Sequence, residues 1–78
     1  MVDPLSDQPV YLQLADILRQ QIRSGELAPR RPLPSIRYLQ QTYGVSDGTV
    51  KRAVQLLRDE GLVRTVPGKG VYVIREGR

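Results

Sequence analysis

Apolar residues recur at helical spacing over three segments of the chain, and a β-like pattern replaces them near the C-terminus. The first helical segment extends from about Pro9 to Ser24. Its apolar stripe consists of Val10, Leu14, Ile17, Leu18 and Ile22. Proline suits the first turn of a helix, and Gly25 suits the left-handed position that ends one. The pattern therefore predicts a first helix over residues 9–24.

A short second helix is predicted between Ser35 and Gly44. The serine hydroxyl can accept a hydrogen bond from an unpaired N–H of the first turn, as an N-cap residue does, and the glycine ends the helix early. The apolar side chains expected to face inward are those of Ile36, Leu39 and Tyr43. Prolines in the preceding segment exclude a helix there and leave room for a very short strand around Arg31–Leu33.

A third helix is predicted from Asp47 to Glu60, with Ser46 as its N-cap and Gly61 at its end. Its apolar stripe consists of Val50, Ala53, Val54 and Leu57. If that stripe faces the core, the outward or flanking residues are Gly48, Thr49, Lys51, Arg52, Gln55 and Arg58. Val45 is expected to be buried at the elbow between the second and third helices.

The last part of the chain has the pattern of a β-hairpin. Two runs rich in β-forming residues, 62–66 and 71–74, flank the connection Pro67-Gly68-Lys69-Gly70, which suits a turn. The order of elements is therefore helix, short helix, tight turn, helix and hairpin. This order indicates an α+β fold that is mainly α, a winged helix-turn-helix domain over 9–75, with a flexible N-terminus at 1–8 and a tail at 76–78.

The second and third helices have the arrangement of a helix-turn-helix, because a glycine-containing turn joins a short helix to a helix with a polar outer face. In that motif the second helix projects its N-terminal end into the major groove of DNA. Gly48 and Thr49 are small, which allows a close approach to base edges. The same spacings also fit a plain three-helix core whose third helix has a solvated face.

The tip of the hairpin places Lys69 between two glycines. A cation on such an open turn can press against a phosphate or enter a minor groove, and Arg64 adds a second cation to the hairpin. The glycines alone are equally explained as turn residues.

The net charge of +4 is unevenly distributed along the chain. Residues 1–29 hold four acidic and two basic side chains, whereas residues 30–75 hold nine basic and three acidic ones. A basic excess confined to one part of the chain is what a polyanion-binding surface needs. A charge of this size also fits an ordinary solvated surface.

The composition argues against an enzyme. The chain has no cysteine and no histidine, which removes disulfides, thiolate metal sites, and the commonest general base and zinc ligand. Gly68-Lys69-Gly70 precedes a strand rather than a helix, so a phosphate-binding P-loop is not predicted. The sequence shows neither a long apolar run nor a signal peptide, and a cytoplasmic protein without cofactor or membrane contact is expected.

From Tyr11 to Val73 the sequence resembles the winged helix-turn-helix domain of GntR-type bacterial transcription regulators. The matching stretches are PVYLQLADILRQQIRSGEL, LPSIRYLQQTYGVSDGTVKRAVQLLRDEGLV and PGKGVYV. Each stretch is weak evidence alone, but together they occur in order and at the right distances. The resemblance implies a repressor-like regulator that binds double-stranded operator DNA, usually as a homodimer on a pseudo-palindrome.

The resemblance also implies which residues contact DNA. Arg37 matches an arginine that contacts DNA, often at a guanine, and Thr49 and Lys51 match recognition-helix positions that contact phosphates or bases. The wing tip matches the part of the family's wing that reaches the minor groove. The predicted DNA-binding residues are Arg37, Ser46, Asp47, Gly48, Thr49, Lys51, Arg52, Gly68, Lys69 and Gly70. Further phosphate candidates are Arg30, Arg31, Arg58 and Arg64.

Asp47 departs from the family pattern, which commonly has arginine or another DNA-contacting residue at this position. Phosphates would repel its carboxylate, whereas the N4 amino group of cytosine could donate a hydrogen bond to it. Alternatively, Asp47 only stabilises the helix N-terminus, by about 0.3–1 kcal/mol. Arg52 and Arg58 each fit either a phosphate contact or a pair with Asp59 or another surface acid.

Full members of the family add a C-terminal domain that binds a small-molecule effector and often dimerises. No effector domain is expected within this chain, and an excised domain and a naturally minimal regulator both fit. A winged-helix module that binds an acidic protein is the alternative function. Tyr11 and Leu12 are expected to be exposed on the first helix, where they fit a dimer or domain contact as well as ordinary surface apolar residues.

Overall fold

The computed structural model describes residues 2–74, which form three helices followed by a two-stranded antiparallel sheet. The elements are α1 at Val10–Ser24, α2 at Ile36–Tyr43, α3 at Asp47–Asp59, β1 at Val63–Val66 and β2 at Gly70–Val73. Helices α1 and α2 both pack against α3, which also contacts β1. The predicted order of elements and fold class are confirmed. Within residues 2–74, no helix has the length and apolarity needed to cross a membrane.

The helices begin and end where the sequence places their caps. The Oγ atom of Ser35 accepts a hydrogen bond from the N–H of Tyr38 at 3.0 Å. Ser46 accepts in the same way from the N–H of Thr49 at 3.1 Å. Serine caps of this kind stabilise a helix by about 1 kcal/mol each. Gly44 has a left-handed backbone with φ at 65°, so the chain leaves α2 and turns directly into α3.

The core lies between the three helices and the hairpin. Its largest fully buried side chains are Leu14, Leu18, Ile22, Leu39, Leu57, Val50, Val63 and Val73. The predicted stripes of α1 and α3 supply most of them. Other predicted core residues are less covered: Ile36 keeps 37% of its surface exposed, and the half-buried ones are Val10, Ile17, Tyr43 and Val45. Most of these stand at or next to a helix end, where fewer neighbouring side chains cover them.

The hairpin turns at a glycine with a left-handed backbone. Strands β1 and β2 pair antiparallel, with Val66 opposite Gly70 as the last pair before the turn. The N–H of Lys69 donates to the carbonyl of Val66 at 2.9 Å. Gly68 has a φ of 77°, as the third position of a type II turn requires. The turn therefore leaves Lys69 exposed at the tip of the wing.

The proline-rich segment before α2 is bonded to the free edge of β2. Pro32 forms an isolated antiparallel bridge with Tyr72, within the segment where the sequence leaves room for a very short strand. Three main-chain hydrogen bonds of 2.7–2.9 Å flank this bridge, donated by Arg30, Leu33 and Val73. Because α2 starts only three residues after Leu33, these bonds fix the wing relative to the helix-turn-helix.

An ion-pair network joins α1 to the end of α3. The guanidinium of Arg19 lies against both carboxylate oxygens of Glu60, with N···O distances of 2.8 and 2.7 Å, and also pairs with Asp16. Two parallel hydrogen bonds of this kind are among the strongest between side chains. The hydrogen bond to Glu60 raises the pKa of Arg19 above its ordinary value. The network thus holds together residues that are 41 positions apart.

Residues near the N-terminus contact α1 mainly through the side chain of Gln13. The N–H of Asp3 donates to Oε1 of Gln13 at 2.6 Å, and Nε2 of Gln13 donates to the carbonyls of Asp3 and Gln8 at 2.9 and 2.8 Å. Val2 packs against the core. The absence of an apolar period in residues 1–8 predicts flexibility; the hydrogen bonds of this segment to Gln13 are contacts that an apolar period does not reveal. The predicted domain end at Arg75 and the tail at 76–78 lie outside the described residues.

Candidate nucleic-acid interface

The first turn of α3 presents an open surface. The hydroxyl of Ser46 also donates to Oγ1 of Thr49 at 2.9 Å, and Thr49 is half-buried. A Cβ atom built on Gly48 would meet no heavy atom within 4 Å. The backbone of Gly48 is helical and not left-handed, so the local conformation does not require a glycine. The missing side chain leaves space in front of the helix for a ligand.

Two charged residues on this turn form an ion pair. Nζ of Lys51 lies 2.9 Å from Oδ2 of Asp47, and the two side chains are 63% and 53% exposed. Residues four apart on a helix lie on the same face. This pair was not predicted, although an acid followed four residues later by a base indicates it. The outer face at the start of α3 therefore carries an acid and a base side by side, with no net charge.

A groove of about 670 Å³ lies between the start of α2, helix α3 and the wing. Its floor is apolar and includes Leu33, Ile36, Leu39, Val54 and Val71. Its polar and cationic lining consists of Ser35, Lys51, Gln55, Arg58, Thr65 and Lys69. Lys51 comes from α3 and Lys69 from the wing tip, so side chains from both elements meet in one groove. Both lysines are exposed, as predicted.

Arg37 stands apart from the groove on the first turn of α2. Its side chain is exposed, and it makes no ion pair or hydrogen bond with any residue in 2–74. A guanidinium without a protein partner is available to an incoming anion or base edge. Beside it, Tyr38 is 56% exposed, so this turn presents an aromatic ring next to a cation.

Arg52 is held by an aromatic ring of α1. Its guanidinium carbon lies 4.1 Å from the centroid of the Tyr11 ring, within the range of a cation–π interaction. Tyr11 itself packs against the core, and both it and Leu12 are half-buried. The expectation that these two residues are exposed is therefore wrong. Helical spacing alone cannot show that an arginine from α3 covers one of them.

Arg58 belongs to a polar chain along α3. It donates a hydrogen bond to Oε1 of Gln55, and Nε2 of Gln55 donates to Oδ1 of Asp59 at 2.8 Å. A direct pair between Arg58 and Asp59 was one of the alternatives that the sequence left open, and the structure links the two residues through Gln55 instead. Nε of Arg58 is buried without a hydrogen-bond partner among residues 2–74. Arg58 is the least accessible cation of the groove, since Lys51 and Lys69 are exposed and it is half-buried.

The family model for bacterial regulatory proteins of the gntR family matches residues 10–73, which include the three helices and two strands found within residues 2–74. The chain belongs to the GntR family. The family assignment agrees with the observed architecture, in which α2 and α3 form a helix-turn-helix and the hairpin wing lies beside it.

Relatives and solved structures agree with the family assignment. The GntR-family chain is 39% identical over 72 residues to the HTH-type transcriptional repressor NagR of Bacillus subtilis (strain 168), covering 92% of this chain but 30% of NagR. YtrA from Sulfolobus acidocaldarius, a GntR-family transcription factor, superposes with a TM-score of 0.86 at 39% identity, over 96% of this chain and 79% of that one. AraR(DBD), in complex with operator ORX1, superposes with a TM-score of 0.83 at 32% identity, over 94% and 90%.

The predicted site residues of this GntR-family chain are not all gathered in one place. The groove includes Lys51, Arg58, Lys69 and Gly70. The predicted residues outside its lining are Arg30, Arg31, Arg37, Ser46, Asp47, Gly48, Thr49, Arg52, Arg64 and Gly68. Arg64 is exposed on β1 opposite Tyr72, and Arg30 and Arg31 are exposed before α2. The apolar floor, with Ile36 partly exposed, was not predicted, because it forms only when α2, α3 and β2 come together.

Proposed function

We propose that this domain binds double-stranded DNA as the winged helix-turn-helix of a transcription regulator. The start of α3 enters the major groove, and the wing tip lies at the adjacent minor groove. The observation that carries the proposal is that Lys51 of α3 and Lys69 of the wing line the same groove. Two cations from separate elements thus face the same side, as contact with one continuous duplex requires.

Each element suits the part of the duplex that it would meet. The major groove is about 12 Å wide and admits a helix whose leading residues are small, as Gly48 is. The planar fork of Arg37 fits the O6 and N7 acceptors of guanine, or a phosphate. At the wing, Lys69 stands between two glycines with φ of 77° and 119°, so the backbone on either side carries no bulky group that would hold it away from DNA.

The relatives support regulation through operator binding. NagR is a transcriptional repressor, and AraR(DBD) has been crystallised with an operator. By analogy, this domain represses transcription from a pseudo-palindromic operator in the cytoplasm. It binds as a homodimer, since two-fold related helix-turn-helix domains occupy half-sites spaced by one or more helical turns. The chain spans only 30% of the length of NagR.

The test begins with duplexes selected from a random pool by the 78-residue chain at fixed salt. Affinity for the enriched duplex is then measured over a range of salt concentrations. We compare the chain with Arg37→Ala, Lys51→Ala and Lys69→Ala. Each phosphate contact that is lost lowers the slope of log affinity against log salt by about 0.9, whereas a lost base contact relaxes the sequence preference at one position.

Arg23→Gln is the matched control, because Arg23 is an exposed cation of α1 that does not line the groove. It is expected to leave the affinity and salt slope nearly unchanged. If the three interface variants all behave like this control, the proposed surface is wrong. Binding to an acidic polypeptide without binding to any duplex would instead favour the protein-interaction module.

A further inference from the structure

The ion pair between Asp47 and Lys51 has an unusual position for a pair with no net charge. It occupies the exposed face of α3 where this helix begins, and this is the part that the proposed function places in the major groove. Phosphate binding would favour cations alone here. An acid at this position stabilises the helix N-terminus, and any contact that its carboxylate makes with DNA must be to a group other than phosphate.

The pair has hydrogen-bonding capacity left over. Among residues 2–74, Asp47 has Lys51 as its only side-chain partner, so the carboxylate keeps further acceptor positions and the ammonium keeps two further donors. An exposed pair of this kind contributes little to stability. The carboxylate of Asp47 and the ammonium of Lys51 can therefore separate and turn towards a ligand at a small cost in free energy. Gly48, beside them, adds no side chain that would block the approach.

One base pair has the complementary pattern in its major-groove edge. A G·C pair presents the N7 and O6 acceptors of guanine next to the N4 amino donor of cytosine. The ammonium of Lys51 matches the two acceptors, and the carboxylate of Asp47 matches the donor. An A·T pair places its amino donor between two acceptors and adds the thymine methyl group, so it fits this side-by-side arrangement less well.

We infer that Asp47 and Lys51 act together to select one G·C base pair, in a fixed orientation, within each operator half-site. The carboxylate accepts from N4 of cytosine, and the ammonium donates to O6 or N7 of guanine. This inference rests on the proposed function and adds a specificity that a purely cationic helix would not have. The charges of the carboxylate and the ammonium cancel. The contact therefore adds to the sequence preference but adds little to the salt dependence of binding.

The experiment measures base preference at every position of the selected duplex. The 78-residue chain first selects duplexes from a random pool, and each position of the enriched duplex is then replaced by the other three base pairs. With the unaltered chain, one position is expected to favour G·C by about tenfold, the order of discrimination that a good direct contact gives. Asp47→Ala removes the cytosine partner, and the preference at that position should fall to about twofold or less.

Asp47→Asn gives a sharper readout than Asp47→Ala. An asparagine side chain suits the N6 and N7 groups of adenine, so the preferred base at the same position should change from cytosine to adenine. The loss of the carboxylate also leaves Lys51 as an uncompensated cation. The salt slope should then become steeper by about 0.9, as for one added phosphate contact. Preferences at the other positions should stay as they were.

Asp59→Asn is the matched control, since it removes one negative charge from the opposite end of the same helix. It should alter neither the base preference nor its orientation. If Asp47→Ala and Asp47→Asn change affinity uniformly, with every base preference intact, Asp47 does not read a base and the inference is overturned. If the unaltered chain enriches no duplex at all, the failure belongs to the proposed function and takes this inference with it.

Discussion

Replacing Gly48 by alanine should have opposite effects on folding and on DNA binding. The new methyl group meets nothing within 4 Å in the protein, and the backbone at this position is helical. Alanine is a better helix former than glycine by about 0.5–1 kcal/mol. For a domain of this size, each kcal/mol changes Tm by about 4–8 °C. The variant is therefore expected to melt about 2–8 °C higher than the unaltered chain.

On DNA the same methyl group would occupy the space that Gly48 leaves in front of α3. An extra methyl at a tightly packed contact costs about 1–3 kcal/mol, which corresponds to a loss of affinity of about 5- to 150-fold. Thermal unfolding and duplex titration are the two assays. Gln20→Ala, at an exposed position of α1, is the control and should leave affinity unchanged. A variant that melts higher and binds DNA as tightly as before would refute the close approach of α3.

Three further substitutions test other contacts. Glu60→Gln removes one of the two carboxylates that pair with Arg19 and leaves Asp16 as the other; it should lower the free energy of unfolding by about 1 kcal/mol, measured by urea denaturation, and an unchanged midpoint would mean that the pair with Glu60 adds nothing. Gly68→Ala places a Cβ at a φ of 77° and should cost about 1–2 kcal/mol by the same measurement. Tyr11→Leu removes the ring under Arg52 and should cost about 0.5–1 kcal/mol; a matching Arg52→Gln variant should show no further loss in the Tyr11→Leu background.

The features that the sequence predicts correctly are encoded locally. Ser35 and Ser46 each precede a helical stripe, and the two hydroxyls do cap α2 and α3. Gly44 and Gly68 stand where a left-handed backbone is required. In each case the information lies within a few residues of the position, so periodicity and turn chemistry are sufficient to find it.

The features that escape prediction depend on residues far apart in the chain. Arg19 meets Glu60 across 41 positions, and the Tyr11 ring lies under an arginine of another helix. Neither contact leaves a periodic trace in the sequence. The groove also depends on residues far apart in the chain, because its apolar floor forms only when α2, α3 and β2 pack together. The Asp47–Lys51 pair is different: it is local, and the four-residue spacing alone indicates it.

The bridge between Pro32 and Tyr72 has a consequence for how such domains diverge. Main-chain hydrogen bonds join the segment before α2 to β2, and the side chains of the wing tip take no part in them. Substitutions at the wing tip can therefore accumulate without altering those bonds. We expect the scaffold to tolerate new residues at position 69, and operator preference to change with them. An insertion between residues 30 and 33 would instead shift the wing relative to α3, so that the two could no longer contact one duplex together.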